Sequence, residues 1–438
     1  MFYNRYRENL FIITVFIVMF EYQLSLVQTY IIDRIIKIVA FSVLIIFFRN
    51  IRDNKRCIYI QKIDMFYLFL FLLMTLSTIT NLNTNAVIFL IKYSLFILFV
   101  LILLHKVHPD FFSDRIIIFP IFIGAVLSIH SITVLLLVYF GIEPDWAYVV
   151  SERHSRINRF SYFWGDMAYL SGQYLRASSF FETPNRFGNF LIFPAFVGFG
   201  YFVLRKKFVY LFVSILCFVT IGLTLAFTIL LASLATISIN IYFRKASGIP
   251  WLKKSPLMVG IIGLLLALMV MAGVMKYYSS QFEESSEAVF RGGYYKTIFY
   301  SLLISGEDLV PNITKPFGNG LGYYRFDRFY TAQYGLVLWI LLLGYPGAIF
   351  FMVFIAYMFK VHVFPALISQ ERRIERYVAL AFVAQTFCEF QEGSWLSLNY
   401  LFTTAILVLL KAYSFRSRKR QFNSVQSTAS LRWTAATG

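Results

Sequence analysis

Two arginines and a glutamate stand together at the edge of an apolar segment. The stretch Leu175 to Asn189 carries Arg176, Glu182 and Arg186 and runs straight into apolar sequence at Phe187. A guanidinium grips phosphate through two parallel N–H donors and stays charged at any working pH. A second charged stretch, Phe290 to Gln333, holds Arg291 in Phe-Arg-Gly-Gly-Tyr-Tyr, followed by Lys296, Lys315, Arg325 and Arg328. Two such forks at headgroup level would suit a lipid-linked diphosphate, and Arg176 and Arg291 are the candidates. The alternative for each is a surface arginine that snorkels or pairs with a nearby carboxylate.

Other chemistry is narrower. Thr314 to Gly322 puts glycines at 318, 320 and 322, a spacing that permits close backbone approach to an oxyanion but also makes an ordinary turn. It matches neither a Walker loop nor a dinucleotide fingerprint, so no nucleotide cofactor is expected. Of five histidines, only His154 falls in a predicted outer loop, and no Asp-x-Asp occurs there, so no metal site is expected. Cys57, Cys217 and Cys388 are scattered and read as packing residues. Glu21, Glu389 and Glu392 could mark an ion path, but each sits near a predicted helix end and is expected to face water.

The elements that must position these groups are set by composition. Hydrophobic residues make up 59% of the chain and charged residues only 14%, with a mean hydropathy of +0.69. That is an all-α polytopic membrane protein, with no room for a soluble domain of ordinary size. Apolar runs at 9–27, 32–48, 64–80, 87–104, 116–140, 187–204, 208–224, 226–243, 257–275, 335–359, 377–391 and 396–413 predict about twelve transmembrane helices. A single membrane domain would then occupy 1–415. Arg5 and Arg7 precede the first run without a small-residue cleavage site, so a retained helix is expected there.

A net charge of +18 would suggest nucleic acid in a soluble chain, but alternate loops sort it differently. With both termini cytoplasmic, the inner loops hold about twice as many Lys and Arg as the outer ones. Nucleic acid is therefore not expected as a partner. The two large loops, 141–186 and 276–334, fall on the outer face, and the basic, Ser/Thr-rich tail 416–438 is expected to be a disordered cytoplasmic end. Both outer loops are rich in aromatics, among them Trp146, Trp164, Tyr294 and Tyr323. Such residues anchor at the bilayer interface, and beside arginines they also make a surface on which sugars stack.

Arg176-Ala-Ser-Ser-Phe-Phe-Glu182-Thr-Pro184-Asn185-Arg-Phe-Gly188 resembles the segment entering a helix in the O-antigen ligase and polymerase superfamily. Phe317-Gly318-Asn-Gly320-Leu-Gly322, then Gly344-Tyr-Pro346-Gly347, is similar to that family's late outer loop and following helix. The motif likeness spans Arg176 to Gly347; the rest of the chain agrees in topology alone. The family's ligases carry a His-Asn pair ahead of the glycine matching Gly344, where this chain has Gln333 and Tyr334. The Thr-Leu-Ser-Arg often seen after the seventh helix is replaced by Leu223-Thr224-Leu225-Ala226. The loss of the His favours the polymerase branch.

The resemblance implies a metal-independent glycosyltransferase in the bacterial inner membrane. It would join undecaprenyl-diphosphate-linked oligosaccharide repeat units on the periplasmic face, with a chain-length regulator as a possible partner. Arg176 and Arg291 would act on the diphosphates, and Glu182 would orient an arginine, since an ion-paired carboxylate is a weak base. Asn185, Arg186, Arg325, Gln333, Tyr294 and Tyr323 would hold substrate. The alternatives are an O-antigen ligase, which transfers to lipid A core, and a polysaccharide flippase, which would place charges mid-helix around a central cavity.

Overall fold

In lipid, a long apolar run closes its backbone hydrogen bonds within one helix, because no water is there to satisfy them. The computed structural model describes residues 62–82, parts of 86–101, 114–140, 177, 184–224, 227–246, 315–321, 335–369, 373–392 and 400–411. Its helices are α1 Lys62–Thr80, α2 Asp114–Tyr139, α3 Pro184–Arg205, α4 Phe208–Leu223, α5 Phe227–Ala246 and α6 Gly335–Met358. A π-helical turn, Phe359–Val363, joins α6 to α7, Phe364–Ile368. Then come α8, Ile374–Glu392, and α9, Tyr400–Lys411.

The described part is all helical and consistent with an α-helical membrane protein. Among the described residues, Ile63–Thr80, Ile116–Leu137, Arg186–Arg205 and Leu342–Ile368 are long and apolar enough to cross a membrane, by length and composition. These helices fall near the expected runs, and helical residues also occur within predicted 87–104. The predicted helices at 9–27, 32–48 and 257–275, most of both large loops and the tail 416–438 lie outside the described residues.

Some boundaries differ from expectation. The break expected near Gly222 falls after Leu223, and α3 starts at Pro184 rather than near 187. Proline suits that first position because its fixed φ is already helical and its missing N–H would have no intrahelical partner. The basic segment from Lys360, expected to be a loop, continues the helix as far as Ile368. Burial is the reason: Phe359 packs on Phe382, Phe364 packs on Phe243, and His362 and Leu367 are buried beside them.

Helix α3 is the hub, packed against α2, α4, α5 and α8. Small residues let these helices approach closely. A Cβ added at Gly200 would lie 2.6 Å from the Tyr377 ring, and one at Gly124 would lie 2.6 Å from the Pro194 ring. Only Lys206 and Lys207 separate α3 from α4; Lys206 takes a positive φ of 56° and donates its N–H to Phe202 at 2.8 Å. That left-handed residue stops one helix and reverses the chain into the next.

Ring contacts fix the directions of the helices. Phe66 meets Phe354 and Tyr357 while Phe69 meets Phe350, so α1 and α6 are antiparallel. Phe351 meets Phe390 while Phe359 meets Phe382, so α6 and α8 are antiparallel too. Arg205 to Lys207, Arg376 and Lys411 consequently gather at one end of the bundle. There Arg376 donates to the Asn240 side chain at 2.9 Å and the Lys411 ammonium donates to the Val361 carbonyl. Asn81, Pro184, Leu223, Gly344 and Glu392 gather at the other end.

Candidate functional site

The end opposite the basic residues holds two built polar features. The first is a junction of three segments. Helix α6 carries a break at Gly344, whose φ of 74° and ψ of −173° suit glycine almost alone. The break bends the helix sharply. Trp339 and Phe351 would stand about 18 Å apart along a straight helix, yet their rings stack with centroids 4.6 Å apart. What the sequence read as one span, 335–359, is therefore two helical pieces meeting at a corner.

The glycine run 315–321 fills that corner. Gly318, at φ 71°, sits so close that an added Cβ would lie 2.5 Å from the Leu342 carbonyl carbon and 2.7 Å from the Gly344 nitrogen. A Cβ at Gly344 would meet Pro316 and lie 2.9 Å from the Gly318 nitrogen. The sequence allowed these glycines an approach to an oxyanion; Gly318 approaches the backbone of α6 and Gly320 approaches Asn81 beyond α1. Helix α1 satisfies the backbone groups this exposes. Ser77 Oγ donates to the Leu342 carbonyl at 2.5 Å, and Asn81 Nδ2 donates to the Gly318 carbonyl at 3.0 Å. Irregular backbone that is shut off from water persists where protein groups satisfy it.

The second feature is a buried polar seam between α3 and α8. Gln385 Nε2 donates to the backbone carbonyl of Asn189 at 3.3 Å, and both side chains are buried. Thr386 Oγ1 donates to the Phe382 carbonyl at 2.7 Å and lies 3.4 Å from the Tyr400 hydroxyl. One turn beyond Gln385 stands Glu389, only 3% exposed. The expectation that it faces water is corrected: Glu389 is near the end of α8, but its side chain is buried there. Cys217 and Cys388 are buried, as packing residues would be.

Of the residues singled out for chemistry, Arg176, Glu182, Arg291, Tyr294, Tyr323, Arg325 and Gln333 lie outside the described residues. Asn185 falls in the first turn of α3, and Arg186, next to it, is half-buried. The residue after Arg176 is anchored: the Ala177 N–H donates to the Leu223 carbonyl at 2.8 Å, at the C-terminus of α4. Gly188 faces Thr224 and Ile229, so the entry to α3 is held by the α4–α5 connection. Sequence reading missed Ser77, Asn81 and Gln385. The signal present for them was a polar side chain within or at the edge of an apolar run, which does not by itself say what it faces.

No family model, curated protein or solved structure matches the chain.

Proposed function

We propose that this chain is a glycosyltransferase polymerising undecaprenyl-diphosphate-linked oligosaccharide repeat units into O-antigen or a related surface polysaccharide. The reading rests on the motifs at 176–188 and 317–347. The observation that carries it is that both motifs enter built features at one end of the bundle. Ala177 is pinned beside Leu223 where α3 begins, and the Gly318 segment is lodged in the α6 corner. Segments held by backbone contacts keep fixed positions, which a site for charge-stabilised group transfer requires.

In this reaction an acceptor hydroxyl attacks the anomeric carbon, the glycosidic bond forms, the bond to the lipid diphosphate breaks, and the hydroxyl proton passes to the departing diphosphate or to solvent. Arg176 and Arg291 stabilise the charge that develops on the leaving diphosphate, and Glu182 orients an arginine. Asn185, Arg186, Arg325, Gln333, Tyr294 and Tyr323 hold sugars and phosphates. The positive-inside pattern of the loops supports a cytoplasmic basic end, and the resemblance implies that the reaction runs on the periplasmic face of the inner membrane.

The test is Arg176→Ala and Arg291→Ala in a deletion strain, each checked for expression, with surface polysaccharide resolved on a gel. Loss of polymerisation leaves single repeat units on core. A ligase defect leaves long lipid-linked chains and none on core, and a flippase defect leaves neither. An unchanged ladder in both variants would remove the arginines from the reaction.

A further inference from the structure

We propose that the seam between α3 and α8 is a binding site for a monovalent cation, with Asn189 and Gln385 as neutral oxygen ligands. Four buried side-chain oxygens in this region lack a hydrogen-bond partner: Asn189 Oδ1, Gln385 Oε1, Ser233 Oγ and Thr236 Oγ1. They occur on three helices, α3, α8 and α5, which pack against one another. The Gln385 amide is oriented by its bond to the Asn189 carbonyl, so Oε1 is its acceptor end. Ile229 packs on Gly188, which sets Ser233, one turn further along α5, within about one helical turn of Asn189 along the bundle.

Buried amide oxygens and hydroxyls cost free energy unless a hydrogen-bond partner or a cation meets them, and lipid supplies neither. A water could donate to two of them. The seam holds charge of both signs. Glu389 follows Gln385 by one turn on the same face of α8, and a carboxylate acts strongly where the dielectric is low. Arg186 stands near the level of Glu389 and is the competing positive group. Hard cations take oxygen ligands, and membrane proteins bind sodium through oxygens held inside helix bundles. The site is independent of the proposed transfer reaction and is tested without it.

The experiment uses the purified full-length chain in detergent, with 22Na+ as probe and unlabelled sodium or choline as competitor. Saturable 22Na+ binding is expected, displaced by sodium and not by choline. Gln385→Leu and Asn189→Leu should each weaken it by about tenfold or more, the loss of one good ligand. Sodium should also raise the Tm of the wild-type protein above its value in equal choline, and this shift should vanish in Gln385→Leu. Absence of displaceable 22Na+ in the wild-type protein overturns the proposal and leaves the oxygens to water. Equal binding in the wild type and both variants overturns it as well.

Discussion

Gly318 and Gly344 face each other backbone to backbone: a Cβ built on either would fall under 3.0 Å from the other's amide nitrogen. Both hold positive φ, so each is constrained by conformation as well as by space. Helix α6 can turn at this corner because the 315–321 segment occupies it; Asn81 beyond α1 holds that segment at the Gly318 carbonyl, and Ser77 of α1 holds the Leu342 carbonyl of α6.

Gly344→Ala should be severely destabilising. The new methyl would collide with Pro316 backbone atoms, which cannot swing aside, and the left-handed conformation adds its own strain. A loss of more than about 3 kcal/mol is expected. It would appear as absence of the monodisperse peak in detergent or a large fall in Tm. A variant with wild-type Tm would show that the corner is not built this way.

Ser77→Ala removes a buried donor and strands the Leu342 carbonyl, which should cost about 1–3 kcal/mol. Thr75→Ala, whose exposed hydroxyl only bonds back to Phe71, should stay within about 0.5 kcal/mol of wild type. Comparing the two melting temperatures separates a tertiary hydrogen bond from one made within a helix.

Gly200→Ala tests the hub. The added methyl would meet the Tyr377 ring and its Cβ, forcing α3 and α8 apart at a cost of about 1–3 kcal/mol. Gly222→Ala has open space around it and replaces a poor helix former, so its Tm should equal or exceed that of the wild type.

Arg186→Ala should shorten or abolish the polysaccharide ladder, whereas Arg205→Ala, at the opposite end of the bundle, should leave it intact. Arg205 stacks over the Tyr201 ring at 5.1 Å, so its variant also controls for the loss of a basic side chain from α3. Equal ladders from the two variants, at matched expression, would place Arg186 outside the reaction.

Orientation can be read with a membrane-impermeant maleimide on whole spheroplasts, with Cys57 replaced by Ser. Leu82→Cys, at a highly exposed position beyond α1, should label from outside, and Lys207→Cys only after lysis. The buried Cys217 and Cys388 should stay unlabelled in both. The reverse pattern would invert the topology.

The positions of the described helices were legible in the sequence because apolar length is a local property that lipid reads directly. So were the glycines of 318–320 and 344, since positive φ selects for the residue itself. What those glycines approach was not legible. The bond from Ser77 to Leu342 spans 265 positions, and the bond from Gln385 to Asn189 spans 196, and periodicity carries no information across such distances.

Composition and hydropathy by themselves determined an all-helical, membrane-type chain, with charged groups near Arg186 at a helix entrance. Tertiary structure alone decided that Glu389 is enclosed rather than solvated, and that α6 turns at Gly344 instead of running straight. The physical reason is the same for both. Solvent exposure and a backbone break are set by what neighbouring helices place beside a residue, and those neighbours are remote in the chain.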